Sequence, residues 1–188
     1  QFAADLAMVI SIIVFGLQDA GILANAAVVA AGDLAGKLSD LLGVVADGMG
    51  GHAAGEVAAR LAVETLEELA GTQLLGIDAV RGPVEEANRR IWEAGKEPGQ
   101  RGMGTTVTGC AALTDGSWAI FNVGDSRVLH IHDGEIRQLT VDHSEVQDMV
   151  TLAILAPDEA AVHPMRHIVT RSLGARPGMQ VDIERLEV

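Results

Sequence analysis

Three apolar runs open the chain, at residues 6–15, 22–31 and 41–46, separated by glycine and aspartate. Their length and punctuation predict strands, although the alanine-rich middle run suits a helix as well. Ala58, Leu61, Ala62, Leu66 and Leu69 then recur at helical spacing, which predicts an amphipathic helix with Glu56 in its first turn. A second helix is predicted over 83–96, with Val84, Ala87, Ile91 and Ala94 on one face and Pro83 in the first turn. From residue 105 the chain reads as strands, at 105–113, 117–123 and 128–132, divided by Asp115-Gly116 and Gly124-Asp125. His132-Asp133-Gly134-Glu135 predicts a tight hairpin. Ser144 is placed to cap a helix running through Val150, Pro157 to start a short one, and 180–188 to form a last strand. Strands in the middle with paired helices over them argue for a layered α+β fold.

At 188 residues the chain suits one domain with a substantial core. Its 13 basic and 26 acidic residues give a formal net charge of -13, which disfavours nucleic acid or an anionic membrane as the main partner. Acids still hold divalent cations. The one cysteine, Cys110, lies in an apolar stretch, excludes an intrachain disulfide and reads as a core residue of a protein in a reducing compartment. The run 6–15 is too short to cross a bilayer and has no basic residue before it, so the cytoplasm is the expected location.

The chemistry concentrates at element ends. Asp47-Gly48-Met49-Gly50-Gly51-His52 follows the apolar run 41–46, bringing a carboxylate and flexible backbone to the end of a buried strand. An ordinary turn explains a lone Asp-Gly, but further motifs follow in order: Arg101-Gly102-Met103-Gly104-Thr105-Thr106, Asn122-Val123-Gly124-Asp125-Ser126-Arg127, Gln138-Leu139-Thr140-Val141-Asp142-His143-Ser144, and His167-Ile168-Val169-Thr170-Arg171-Ser172-Leu173-Gly174. Over roughly residues 41–174 this series resembles the bacterial branch of the metal-dependent protein phosphatases, type 2C, which remove phosphate from serine and threonine. The resemblance implies an α-β-β-α layered sandwich, a central antiparallel β-sandwich with helices on both sides. It also implies phosphorylated proteins as partners, with a serine/threonine kinase opposed.

Hydrolysis of a phosphate monoester demands a strong nucleophile, charge neutralisation and in-line geometry, and two hard divalent ions about 3.5–4 Å apart supply all three. Mn²⁺ or Mg²⁺ is therefore the expected cofactor, two ions with a third as a further expectation, on oxygen ligands. The resemblance assigns the Asp47 carboxylate to bridging both ions and the Gly48 carbonyl to one of them. Asp19, in Gln18-Asp19-Ala20-Gly21, resembles an aspartate that orients metal-bound water, but Val14 stands five residues before it, where the family has a phosphate-binding arginine. Asp125 is implied in a third metal site, while its residues alone read as a turn carboxylate. Asp142 is a candidate for the same network, Arg127 is expected to pair with an acid, and His143 and Ser144 are expected to cap the next helix. Asp142-His143-Ser144 is not read as a nucleophilic relay, because triad members meet through the fold and seldom along the chain. His52, His163 and His167 read as hydrogen-bonded turn histidines ahead of proton donors. The glycines at 102 and 104 lack the lysine of a phosphate loop and lead into a strand, so they read as support for the metal-bearing loops.

The family continues beyond the last strand with two more acid-bearing motifs, and this sequence ends at Val188 without them. Asp182, nearby, reads as the solvent face of a strand. The expectation is a single phosphatase-like domain over 1–188 whose C-terminal part is missing and whose metal site is partial. The alternative is a noncatalytic regulatory or phosphoprotein-binding module of the same fold.

Overall fold

The computed structural model describes residues 9–13, 42–50, 52–70, 72–132 and 135–187. The expected strand at 22–31, together with Val14 and Asp19, lies outside them. In chain order the elements are β1 Val9–Ile13, β2 Leu42–Val45, β3 Gly48–Met49, α1 His52–Glu67, α2 Asp78–Ala94, β4 Gly104–Thr105 and β5 Val107–Ala112. They continue with β6 Trp118–Val123, β7 Arg127–His132, β8 Glu135–Gln138, α3 Glu145–Thr151, α4 Pro157–Ala160 and β9 Asp182–Leu186. Every strand pairing is antiparallel: β2-β5-β6-β9 form one sheet, β1-β7-β8 a second, and β3-β4 a two-stranded ribbon beside α1.

Alternation along β5 and β6 builds two cores at once. Val107 and Ala111 of β5 and Ala119, Phe121 and Val123 of β6 face α1 and α2, joining Ala58, Ala62, Leu66, Val80, Val84, Ala87 and Ile91. Cys110, Ile120 and Val45 point the other way and meet Val128 of β7, with Trp118, Leu139 and Leu186 at the margin. Period-two side chains on a shared sheet thus bind helices on one face and the second sheet on the other. The fold is α+β, a layered sandwich of antiparallel sheets with helices packed on it. Cys110 is buried, and its surroundings push the thiol up to about 12, as expected of a core residue.

Several element ends differ from the sequence expectation, each for a local reason. Helix α1 begins at His52, directly after the glycine-rich turn, so Glu56 lies in its second turn. Gly48 and Gly55 permit this tight entry, since a Cβ on Gly48 would collide with the Gly55 carbonyl, and one on Gly55 would stand 2.8 Å from the Gly48 carbonyl oxygen. Helix α2 begins at Asp78, which leaves Pro83 inside it. Val80 and Val84 are both fully buried, and the apolar stripe they carry extends the helix through a position where one backbone hydrogen bond is forfeited. The strand expected over 105–113 is divided at Thr106 into β4 and β5. Ser144, extended at φ -135° and ψ 154°, caps α3 by accepting the Gln147 N–H at 3.3 Å, as its position implied. The β7–β8 register sets His132 opposite Glu135, which leaves two residues to connect the strands.

One buried side chain fastens α2 to the segment that returns toward the sheet. Asn88 donates to the carbonyls of Arg176 and Pro177 at 3.1 and 3.2 Å and accepts the Gly174 N–H at 2.8 Å. Asn88→Ala strands these groups and should destabilise the chain by about 1–3 kcal/mol, read as a lower urea midpoint at unchanged slope. An unchanged midpoint would mean that water replaces the amide at no cost.

Candidate metal centre

Asp47 stands in the break between β2 and β3, where the chain leaves one sheet for the ribbon. Thr106, in the matching break between β4 and β5, holds it there by two backbone contacts. The Thr106 N–H donates to the Asp47 carbonyl at 2.9 Å, and the Thr106 hydroxyl accepts the Asp47 N–H at 3.1 Å. The Asp47 side chain is left free of that work. Its Oδ1 is buried with no hydrogen-bond partner, and burial raises its pKa. A buried carboxylate oxygen without a donor is costly, and a cation is the partner that would satisfy it.

Asp125 lies close enough to Asp47 for the two charges to interact. The Thr106 hydroxyl also shares a 2.9 Å hydrogen bond with the hydroxyl of Ser126, so a single threonine ties together the turns that carry Asp47 and Asp125. Gly124 turns the chain at φ +118°, and a Cβ there would stand 2.5 Å from the Thr106 methyl, so glycine is required both for dihedral and for space. Burial first, and then the charges of Asp142 and Asp47, push the Asp125 pKa up to about 6. Asp47 and Asp125 are therefore electrostatic neighbours, and the Arg127 charge offsets only part of the rise at Asp125.

Asp142 is differently employed. Arg127 Nε donates to its Oδ1 at 2.8 Å and Nη2 to its Oδ2 at 2.5 Å, while Gln138 Nε2 donates to Oδ1 at 3.1 Å. The expected acid partner of Arg127 is thus Asp142, and the guanidinium supplies the positive charge that an ion would otherwise bring. This geometry opposes a ligand role for Asp142 in a third-ion network. Ser144 caps a helix but His143 does not: its Nδ1 accepts the Gly124 N–H at 3.0 Å and its Nε2 meets Asp182 Oδ2 at 3.0 Å. Asp182 in turn accepts from Arg171 Nη1 at 2.7 Å. Burial works to raise the Asp182 pKa, but the hydrogen bonds from His143 and Arg171 and the Arg171 charge bring it below its ordinary value. No local pattern signals this, because an aspartate alternating along a strand looks like any solvent-facing acid. His163 accepts the Met165 N–H at 3.2 Å, as a hydrogen-bonded turn histidine should.

Asp47 and Asp125 are close enough for their charges to interact, and Gly48 follows Asp47 directly in the chain; Asp19 lies outside the described residues. These oxygen donors, with the orphaned Asp47 Oδ1 among them, suit a hard divalent cation. They are too few for a closed site. Among the described residues no group of three His, Cys, Asp or Glu side chains is arranged to hold a metal ion.

Comparison with known proteins agrees with the motifs. A family profile described as Protein phosphatase 2C matches residues 31–174. Protein phosphatase PhpP of Streptococcus pneumoniae is 38% identical over 144 residues, covering 74% of this chain and 58% of that protein. The chain thus spans less than two thirds of the length of that relative. Among solved structures, the serine/threonine phosphatase PstP/Ppp of Mycobacterium tuberculosis is similar with a TM-score of 0.71 at 33% identity, over 78% of this chain and 63% of that one. A catalytic domain of PstP in complex with two manganese ions is similar with a TM-score of 0.66 at 32% identity, over 78% of this chain and 62% of that one.

An aspartate whose folded-state pKa stands at about 6, against an ordinary 3.8, ionises more readily in the unfolded chain. Its ionisation therefore disfavours folding progressively as pH rises from about 4 to about 6, and the penalty is constant above that. Asp125→Asn should raise the stability of the metal-free chain at pH 7 by at most about 3 kcal/mol, and the gain should vanish near pH 4. Urea titrations of both proteins at the two pH values check this; equal gains at both would show that charge is not the cause.

Proposed function

The chain belongs to the protein phosphatase 2C family, and from that premise we propose that it contributes the core of a metal-dependent phosphatase centre acting on phosphoserine and phosphothreonine in proteins. One observation carries the reading: the buried, unpartnered Asp47 Oδ1 beside the electrostatically strained Asp125. In this reading the Asp47 carboxylate and the Gly48 carbonyl would hold Mn²⁺ or Mg²⁺, two ions in the complete centre, and Asp125 would add a further ligand. Bound divalent ions supply nucleophile activation and neutralisation of phosphoryl oxygen charge. The residues of this chain do the rest. Thr106 keeps the Asp47 backbone immobile so that its carboxylate need not be reoriented on binding, and Arg127 pairs with Asp142 and offsets part of the repulsion that Asp142 exerts on Asp125. Asp19, outside the described residues, would orient water in this reading.

The manganese complex of a PstP catalytic domain supports Mn²⁺ as a suitable ion, and the protein phosphatases among the relatives support phosphoproteins as substrates; an opposing serine/threonine kinase is part of the same proposal. A second reading draws on the sparse donor set. With no cluster of three metal-ligating side chains among them, the described residues by themselves suit a phosphatase-like module that binds phosphoprotein without turnover. Among the described residues no helix is long and apolar enough to cross a membrane.

Charge arithmetic separates the two. A pair of divalent ions brings four positive charges, and Asp47 with Asp125 offsets two, so tight pair binding needs further acids. Calorimetric titration of Mn²⁺ into this chain should show weak binding, and p-nitrophenyl phosphate should be hydrolysed poorly. A polypeptide extended to the length of the relatives should bind two ions and turn over, and Asp47→Asn in it should abolish turnover without unfolding it. Full activity of that variant would remove Asp47 from the mechanism, and tight two-site binding by the short chain would show that its own acids suffice.

A further inference from the structure

The side chain of His143 is the least expected feature near the candidate centre. It is 5% exposed, and it is the residue of the Asp-His-Ser motif for which neither catalysis nor capping accounts. Its backbone N–H donates to the Gly124 carbonyl at 2.8 Å, and its Nδ1 accepts the Gly124 N–H at 3.0 Å, so both polar groups of that glycine are held by one residue. Accepting at Nδ1 requires that this nitrogen carry no proton. In the neutral ring the proton then sits on Nε2, which donates to Asp182 Oδ2 at 3.0 Å. Arg171 holds the other oxygen of Asp182 at 2.7 Å, which fixes the carboxylate that orients the ring. The series Arg171, Asp182, His143, Gly124 thus leads from the first residue of β9 to the turn that presents Asp125.

The path has mechanical content because Gly124 is in a demanding conformation. Its φ of +118° is available to glycine at little cost, but glycine by itself does not select that angle over others. Two hydrogen bonds to His143 select it. A third contact, from Asn122 Nδ2 to the Gly124 carbonyl at 3.0 Å, agrees with them. Residue 125 follows immediately, so the angle at Gly124 sets the direction in which its carboxylate leaves the backbone.

We infer that His143 and Asp182 are a positioning pair for Asp125, setting its carboxylate toward Asp47 through the Gly124 turn and making cation affinity dependent on β9. This rests on the reading of Asp47 and Asp125 as cation ligands. Neither His143 nor Asp182 touches the ion or the substrate; each acts through the next residue in the series. Partners of this kind, one step removed from the ligands, alter metal affinity by roughly 10–100-fold when removed.

Three variants of the full chain test it: Asp182→Ala, which alters a half-exposed residue and leaves the core intact, His143→Leu, and His143→Asn, whose Oδ1 replaces Nδ1 as acceptor for Gly124. Two-bond nitrogen–proton correlation spectra of the metal-free chain should show His143 protonated at Nε2. The Gly124 amide should exchange with solvent at least about tenfold faster in Asp182→Ala and His143→Leu, with most of the protection restored in His143→Asn. Mn²⁺ affinity, by calorimetry, should fall about tenfold or more in His143→Leu and recover in His143→Asn. A proton on Nδ1, or Gly124 exchange in Asp182→Ala equal to that of the unsubstituted chain, would overturn the pair. If the unsubstituted chain binds no Mn²⁺, the ligand reading fails, and Gly124 exchange in Asp182→Ala decides the positioning pair by the same tenfold criterion. If His143→Leu does not fold, the Asp182→Ala arm decides alone.

Discussion

Thr106 is the contact on which the arrangement of this molecule depends. It interrupts what would otherwise be one strand, and at the interruption its N–H and hydroxyl take both backbone groups of Asp47 while the same hydroxyl reaches Ser126. Three segments distant in sequence, ending β2, ending β4 and opening β7, are thereby held at one point. Were that threonine replaced by a residue with no hydroxyl, the Asp47 N–H would lose its partner and the link between the two acid-bearing turns would go with it. The interruption of the strand is the condition for the site, since a continuous ladder would have bound those backbone groups to each other and aimed the side chains up and down.

The acids that this clamp gathers are not comfortable there. Burial raises the pKa of Asp47 and of Asp125, and the charges of Asp142 and Asp47 add to the effect at Asp125. Such repulsion lowers the stability of the protein without its cation and is recovered when one binds, so affinity for the ion and stability of the fold are coupled quantities. Asp142 shows the contrasting solution. Arg127 neutralises it with a forked contact, and the same carboxylate type that is strained at one position is settled at the other.

The sheet makes this strain tolerable. β5 and β6 are packed on both faces, by α1 and α2 on one and by the β7 side on the other, so the ends of these strands are anchored by two cores. Turns that hang from their ends, at Thr106 and at Gly124, move little unless both cores give way. Asn88 extends the same rigidity outward by holding the 174–177 segment on α2, and the bridge between Thr105 and Leu173 returns that segment to the ribbon beside Asp47.

Local pattern alone determined much of this protein. Alternation marked β6 and β7 to within a residue, Ser144 announced the start of α3, the Asp-Gly motifs marked the turns that bear Asp47 and pointed to metal chemistry, and their order along the chain identified the family. These features are legible because each depends on neighbours a few residues apart: a pleat, a cap, a turn dihedral. Element ends were less so, as α2 shows, where burial of Val80 and Val84 carries a helix past a proline that local propensity would place at its start. Only the tertiary structure decided how the polar groups are shared. Asp142 belongs to Arg127, His143 to Gly124 and Asp182, and Thr106 to Asp47 and Ser126, and these partners stand 15, 19, 39, 59 and 20 residues apart. An aspartate reads the same in sequence whether a guanidinium, a histidine or nothing faces it, because charge has no periodicity to betray its partner. Which carboxylate remained unpaired, and so open to a cation, was settled by where the fold set the donors.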